Sequence, residues 1–166
     1  MEKTKVSQDF LYKFITDNGI NVSTLAQLMG MSITMVNGCF RHNKDAAGRP
    51  RNFPIQTLPK LNDAIVELAA QIRSSMICFG SPQTFTNKRK VEYDPACVEP
   101  INNLHCYFKI TQFLASVLGW SLNKKSAILH TPSSKKYGCI SRDDVDRINA
   151  RILSVSGMLE SIEIVP

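Results

Sequence analysis

The chain has 166 residues and a formal net charge of +6, with 43% hydrophobic and 20% charged residues. That composition supplies a core and excludes a disordered chain, and no run of 18 apolar residues is present to span a membrane as a helix. The length fits one domain or two small ones of roughly 65 to 80 residues each. Met1 to Asp9 carries lysines but no apolar run behind them, so it does not read as a secretory signal. The cysteines (Cys39, Cys78, Cys97, Cys106, Cys139) are odd in number and without paired spacing, which points to free thiols in a reducing cytoplasm.

In chain order, residues 6 to 18 read as a helix with Phe10, Leu11, Phe14 and Ile15 on one side, Ser7 as N-cap and Asn18-Gly19 as its end. Ser23 or Thr24 is expected to cap a second helix running to Met29, and Gly30 supplies a turn. Ser32 caps a third helix to about His42. Residues 43 to 53 read as a loop from their Gly, Pro and Asn content. A fourth helix starts near Thr57, tolerates Pro59 in its first turn and runs to about Arg73. Residues 81 to 100 form a connector, with room for a hairpin pairing Gln83–Thr86 with Val91–Tyr93. A helix carrying Ile101, Leu104, Tyr107 and Phe108 follows, then two motif helices, a loop from Thr131 to Cys139, and a final helix. That last helix starts at Ser141-Arg142-Asp143-Asp144, where Ser caps and Asp144 holds the capping-box position.

The chain repeats itself. Leu25-Ala26-Gln27-Leu28-Met29-Gly30-Met31-Ser32-Ile33 returns as Leu114-Ala115-Ser116-Val117-Leu118-Gly119-Trp120-Ser121-Leu122, with the glycines 89 residues apart. Each copy is followed by an apolar ladder spaced 3-4-3-4. The first is Leu58, Leu61, Ile65, Leu68 and Ile72; the second is Val145, Ile148, Ile152, Val155 and Leu159, offset by 87. Asn62 and Asn149 coincide at that same offset. One two-residue deletion brings both blocks into register, which favours duplication over coincidence between two amphipathic helices. The domains implied are 1–80, a connector 81–100, and a divergent second unit 101–166.

A helix, a tight turn at Gly and a second helix opened by Ser, with Val36 packed inside it, make a recognisable form. Residues 5 to 75 resemble the lambda-repressor-like (Cro-type) helix-turn-helix family, on Leu25 to Ser32 and Val36. The resemblance implies an all-α fold of two tandem helix-turn-helix units, the second degenerate, and binding to double-stranded DNA as a transcriptional regulator or accessory factor. The helix opened by Ser32 would be the recognition helix, with Thr34, Asn37, Arg41 and His42 facing DNA. The Ser32 amide and hydroxyl would meet a phosphate. Tandem copies would engage half-sites about one helical turn (~34 Å) apart, and a homodimer is the open alternative.

Charge placement points the same way. Arg41, Lys44, Arg49 and Arg51 cluster in or just after the third helix, with only Asp45 opposing them. No acidic residue lies between Glu99 and Asp143, while Lys109, Lys124, Lys125, Lys135, Lys136 and Arg142 fall there or at its edge. Basic residues at the same site of both copies read as a phosphate-facing surface. Gly48-Arg49-Pro50-Arg51 also resembles the core of an AT-hook. The second copy departs from the family where Lys125 replaces Val36, so Lys124, Lys125, Lys135 and Lys136 would hold backbone without reading bases, or that copy would serve packing and dimerisation. The rival function is a protein-interaction or dimerisation module on the same fold without specific DNA binding. Isolated histidines, no phosphate loop and no nucleophile elbow give no reason to expect an enzyme. Cys97, His105, Cys106, His130 and Cys139 make no paired-Cys knuckle that would call for zinc. No cofactor is expected, and the location expected is cytoplasmic, at the nucleoid in a prokaryote.

Overall fold

In the computed structural model residues 2–79, 95–119 and 140–166 are described, and among them the chain is mostly helical, with seven α-helices and three short 3-10 turns. The all-α expectation holds in the main but not in full. Thr4–Val6 (β1) and Ile162–Ile164 (β2) form a two-stranded parallel sheet, in register Thr4 to Ile162, Lys5 to Glu163 and Val6 to Ile164. The hairpin expected between Gln83 and Tyr93 lies outside the described residues, as do Trp120 and the loop from Thr131 to Cys139. No helix among the described residues is long and apolar enough to cross a membrane.

The chain divides into two units, and the division does not follow chain order. Unit 1 is Met1–Ile72 with Val155–Pro166; unit 2 is Arg73–Ser154. The boundaries read from sequence, at 80 and 100, follow the order of motifs along the chain. The observed ones follow what each stretch packs on.

In unit 1, α1 (Gln8–Asp17) opens at Ser7, whose Oγ accepts from the Phe10 amide. α2 (Val22–Met29) begins at Asn21 rather than at Ser23 or Thr24, which become first-turn residues. α3 (Ile33–Phe40) opens at Ser32, whose Oγ accepts from the Met35 amide at 3.1 Å. All three helices end in the same pair of hydrogen bonds, closed by a residue with left-handed φ. For α1 the residue is Gly19 (φ 63°), with Gly19 N donating to Thr16 O and Ile20 N to Ile15 O. For α2 it is Gly30 (φ 65°), with bonds to Gln27 O and Ala26 O. For α3 it is His42 (φ 53°), where His42 N donates to Cys39 O and Asn43 N to Gly38 O. Two glycines adopt this conformation freely. His42 does so against the cost that a Cβ imposes.

A 3-10 turn, Ile55–Thr57, leads into α4 (Leu58–Ser74), with Pro59 in its first turn. Its five ladder residues are all buried, together with Ala64 and Ala69. Unit 1 therefore closes around Leu11, Ile15, Ile20, Leu25, Met29, Val36, Phe40 and the α4 ladder. Phe40 stacks on Tyr12 with centroids 5.3 Å apart and meets the edge of Phe53 at 5.0 Å.

In unit 2 a 3-10 turn at Pro95–Cys97 runs into α5 (Val98–Asn103) and a second 3-10 turn, Leu104–Cys106. The helix thus starts before residue 101, because Pro100 falls in its first turn, where no backbone donor is needed. α6 (Ile110–Leu118) ends at Gly119, whose φ of 65° and ψ of 26° nearly equal the 65° and 28° of Gly30. α7 (Arg142–Ser161) starts with the expected box: Asp144 N donates to Ser141 Oγ at 3.1 Å and Ser141 N to Asp144 Oδ2 at 3.4 Å. Its ladder is buried throughout, with Val145, Ile148 and Ile152 in unit 2 and Val155 and Leu159 in unit 1. Phe108 packs on Phe113 with centroids 4.4 Å apart.

The two coincident asparagines do the same thing in the two units. Asn62 on α4 takes the Ile164 N–H on Oδ1 at 2.7 Å and donates Nδ2 to Ile164 O at 3.1 Å. Asn149 on α7 takes the Ile77 N–H on Oδ1 and donates Nδ2 to Ile77 O, both at 2.8 Å. A carboxamide has the donor and acceptor of a peptide group, so each asparagine acts as a one-residue strand partner for a buried isoleucine. Ile77 and Ile164 are themselves 87 residues apart.

Candidate nucleic-acid interface

α3 turns Val36, Cys39 and Phe40 into the core of unit 1, so Ser32, Ile33, Thr34, Met35 and Arg41 are left exposed and Asn37 half-buried. Leu25, Ala26 and Met29 of α2 are buried with Val36 of α3, and Gly30 lets the chain reverse between the two helices. Arg41, just past α3, donates Nε to the Tyr12 hydroxyl at 3.1 Å, which holds its stem over α1.

The stretch read as a loop is an ordered hairpin. Arg51 N donates to Asn43 O at 2.9 Å, Lys44 bridges to Pro50, and Asp45 N donates to Arg49 O at 2.8 Å. Gly48 N then donates to Asp45 O at 2.9 Å, and Gly48 has φ 78°. This is a turn followed by a left-handed glycine, the three-residue hairpin closure. Asp45 organises it: Oδ1 accepts from the Ala47 and Arg49 amides, and Oδ2 pairs with Arg49 Nε at 3.3 Å. Those bonds, the Arg49 amide first, hold the Asp45 carboxyl below its ordinary pKa. The Gly48-Arg49-Pro50-Arg51 tetrapeptide closes the turn and forms the returning strand of this hairpin.

Arg51 leaves this hairpin toward α3. A Cβ placed on Gly38 would lie 3.6 Å from Arg51 Nη1 and 3.7 Å from its Cδ. The guanidinium therefore rests on the bare backbone of α3 at Gly38, next to buried Cys39. Burial pushes the Cys39 thiol up from its usual pKa, and the Arg51 charge partly opposes that. Between the hairpin and α3 runs a groove of about 670 Å³ lined by Met31, Met35, Cys39, Arg49, Pro50 and Arg51 among others.

His42 joins the hairpin to the helices. Its Nε2 lies 2.7 Å from Asp9 Oδ1 and its Nδ1 3.2 Å from Arg51 O. Two acceptors facing both ring nitrogens favour the imidazolium, and the Asp9 hydrogen bond leads in raising the His42 pKa. The ring is thus committed to neighbours within unit 1. Gln8 supplements it, donating Nε2 to Cys39 O at 2.9 Å and accepting the Phe53 N–H at 3.2 Å.

Of the residues singled out by sequence, Ser32, Thr34, Asn37, Arg41, His42, Lys44, Arg49 and Arg51 lie on α3 or its hairpin, in one unit. Lys124, Lys125, Lys135 and Lys136 lie outside the described residues. Sequence reasoning missed Ile33 and Met35, whose side chains are 48% and 51% exposed, because apolar residues on a short helix read as core. It also missed Gly38 as the seat of Arg51. The Asp45-Ala46-Ala47-Gly48 run carried a turn signal that would have found the hairpin. Cys97 is buried, with Sγ 3.7 Å from Cys78 O. No family model, curated protein or solved structure matches the chain.

Proposed function

We propose that unit 1 binds double-stranded DNA by laying α3 in the major groove, and that the chain acts as a transcriptional regulator or a DNA-binding accessory factor. In this reading unit 1 is a lambda-repressor-like helix-turn-helix and the later part of the chain is a divergent second copy. One observation carries it: α3 is closed against α2 by a left-handed Gly30 and leaves Thr34 exposed and Asn37 half-buried, alongside exposed Ile33 and Met35, beside a hairpin bearing Lys44, Arg49 and Arg51. Thr34 and Asn37 would meet base edges, and Ser32, Arg41, Lys44 and Arg49 the phosphates flanking them. His42 acts at one remove, setting the hairpin against α1 rather than contacting DNA. The second copy would add phosphate contacts through its lysines.

The test is anisotropy of a labelled mixed-sequence duplex over a salt series. About five phosphate contacts give a log-log slope near −4 to −5, at ~0.9 per phosphate. No salt-dependent binding at all would sink the reading.

A second reading has its own observation. Ile33 and Met35 on α3 and Ile55 on the 3-10 turn are exposed, Ile55 to 71%, and apolar exposure of this kind also suits a protein partner. Under that reading binding to DNA is absent, and Met35→Lys abolishes association with the partner.

A further inference from the structure

We infer that Arg51 is a base-reading side chain delivered to α3 from outside the helix, occupying the place that Gly38 leaves vacant. The inference rests on the DNA-binding reading of unit 1 and specifies how that site discriminates sequence. Gly38 lies four residues after Thr34 and three before Arg41, in line with both along the helix. A side chain there would project between theirs, yet this position carries none. Glycine weakens a helix interior, and α3 has only eight residues. Nothing in the packing demands glycine: the nearest atoms to an added Cβ belong to Arg51, at ordinary van der Waals distance.

Arg51 fills the gap with an unusually constrained backbone. Its N–H is bonded to Asn43 O at 2.9 Å across the hairpin, and its C=O to His42 Nδ1 at 3.2 Å. Asn43 N is in turn bonded to Gly38 O, so the hairpin's first strand grows directly out of the end of α3. The hairpin turn is fixed by Asp45. The backbone that carries the guanidinium is therefore fixed before any ligand arrives, and Cδ and Nη1 lie along the helix surface at Gly38. A planar fork held at the middle of a groove-facing helix matches the O6 and N7 acceptors of guanine, which arginine takes in bidentate fashion. Arg49, paired with Asp45 and turned to solvent, has no such seat and is a phosphate ligand.

The experiment selects preferred sites from a randomised duplex library with the whole chain. It then measures affinity for the best duplex and for versions with each G·C pair replaced by A·T. Arg51→Lys keeps the charge and loses the fork. It should lose the preference for guanine at one position, a factor of roughly 5 to 150, while keeping the salt slope. Gly38→Leu displaces Arg51 without removing it and should lose the same preference. Gly38→Ala leaves the seat open and should keep it, with helicity and thermal midpoint of each variant confirming the fold. An Arg51→Lys protein that still prefers guanine overturns the inference, as does Arg51→Ala weakening all duplexes equally. Wild-type protein that binds DNA with no preference overturns it too, while leaving the DNA-binding reading intact. Wild-type protein that binds no DNA overturns both.

Discussion

Replacing Asn62 by alanine should weaken unit 1 out of proportion to the few atoms removed. The change deletes two hydrogen bonds, at 2.7 and 3.1 Å, and strands the N–H and C=O of Ile164. Ile164 is 2% exposed, so water has little access to replace them. A net ~1 kcal/mol per bond, with a further cost for each group left unsatisfied in the interior, gives a loss of about 2–4 kcal/mol. For a chain of this size that is a fall in Tm on the order of 5–15 °C. Asn62→Asp separates the two halves of the effect, since a carboxylate still accepts from Ile164 N but faces Ile164 O with no donor. Urea denaturation measures the total, and amide hydrogen exchange locates it. In Asn62→Ala the protection of Ile164 and Val165 should drop, with Val165 N normally held by Val6 O at 2.9 Å. Asn149→Ala should expose the Ile77 amide instead. A loss under ~0.5 kcal/mol with Ile164 still protected would refute the assignment of the carboxamide as a strand partner, because even one net hydrogen bond is worth more.

Two further outcomes are expected. His42 has a raised pKa, so its attachment of the hairpin is fully present below its ordinary value near 6.5 and is lost as pH rises through the folded value. Stability measured from about pH 6 to 8 should fall more in wild type than in His42→Asn, which tolerates the left-handed backbone but does not titrate; parallel curves would rule this out. Gly30→Ala and Gly119→Ala should each cost about 1 kcal/mol from φ near 65° alone, because nothing lies within 4 Å of either added Cβ. A much larger loss at either glycine, read by thermal melting, would mean that steric contact and not backbone conformation decides there.

Local signals were the legible ones. Ser7, Ser32 and the Ser141–Asp144 box are caps because each serine hydroxyl meets an amide three residues on, a relation written within four letters. The ten ladder residues are buried because their spacing admits only one inward face. β1 and β2 were not legible: three residues are too few to show alternation, and a parallel pair spanning nearly the whole chain leaves no turn between its strands. Asn62 and Asn149 stood out as a coincidence, but nothing about an asparagine on a helix names its partner 102 or 72 residues away. In the candidate site the residue types and their clustering were readable from charge. The seating of Arg51 on Gly38 was not, since it depends on a missing side chain and on a hairpin folding back over it.

The parallel pairing of Thr4–Val6 with Ile162–Ile164 also sets a timetable. During synthesis at ~5–20 residues per second, the last strand follows Ile72 by roughly 90 residues, or some 5–20 s. For that interval the edge of β1 and the Asn62 carboxamide are without the segment that completes them. Unit 2 ends at Ser154. The half of the molecule made first is therefore the half that closes last, and its unpaired strand is exposed to the ribosome's surroundings while the rest of the chain emerges.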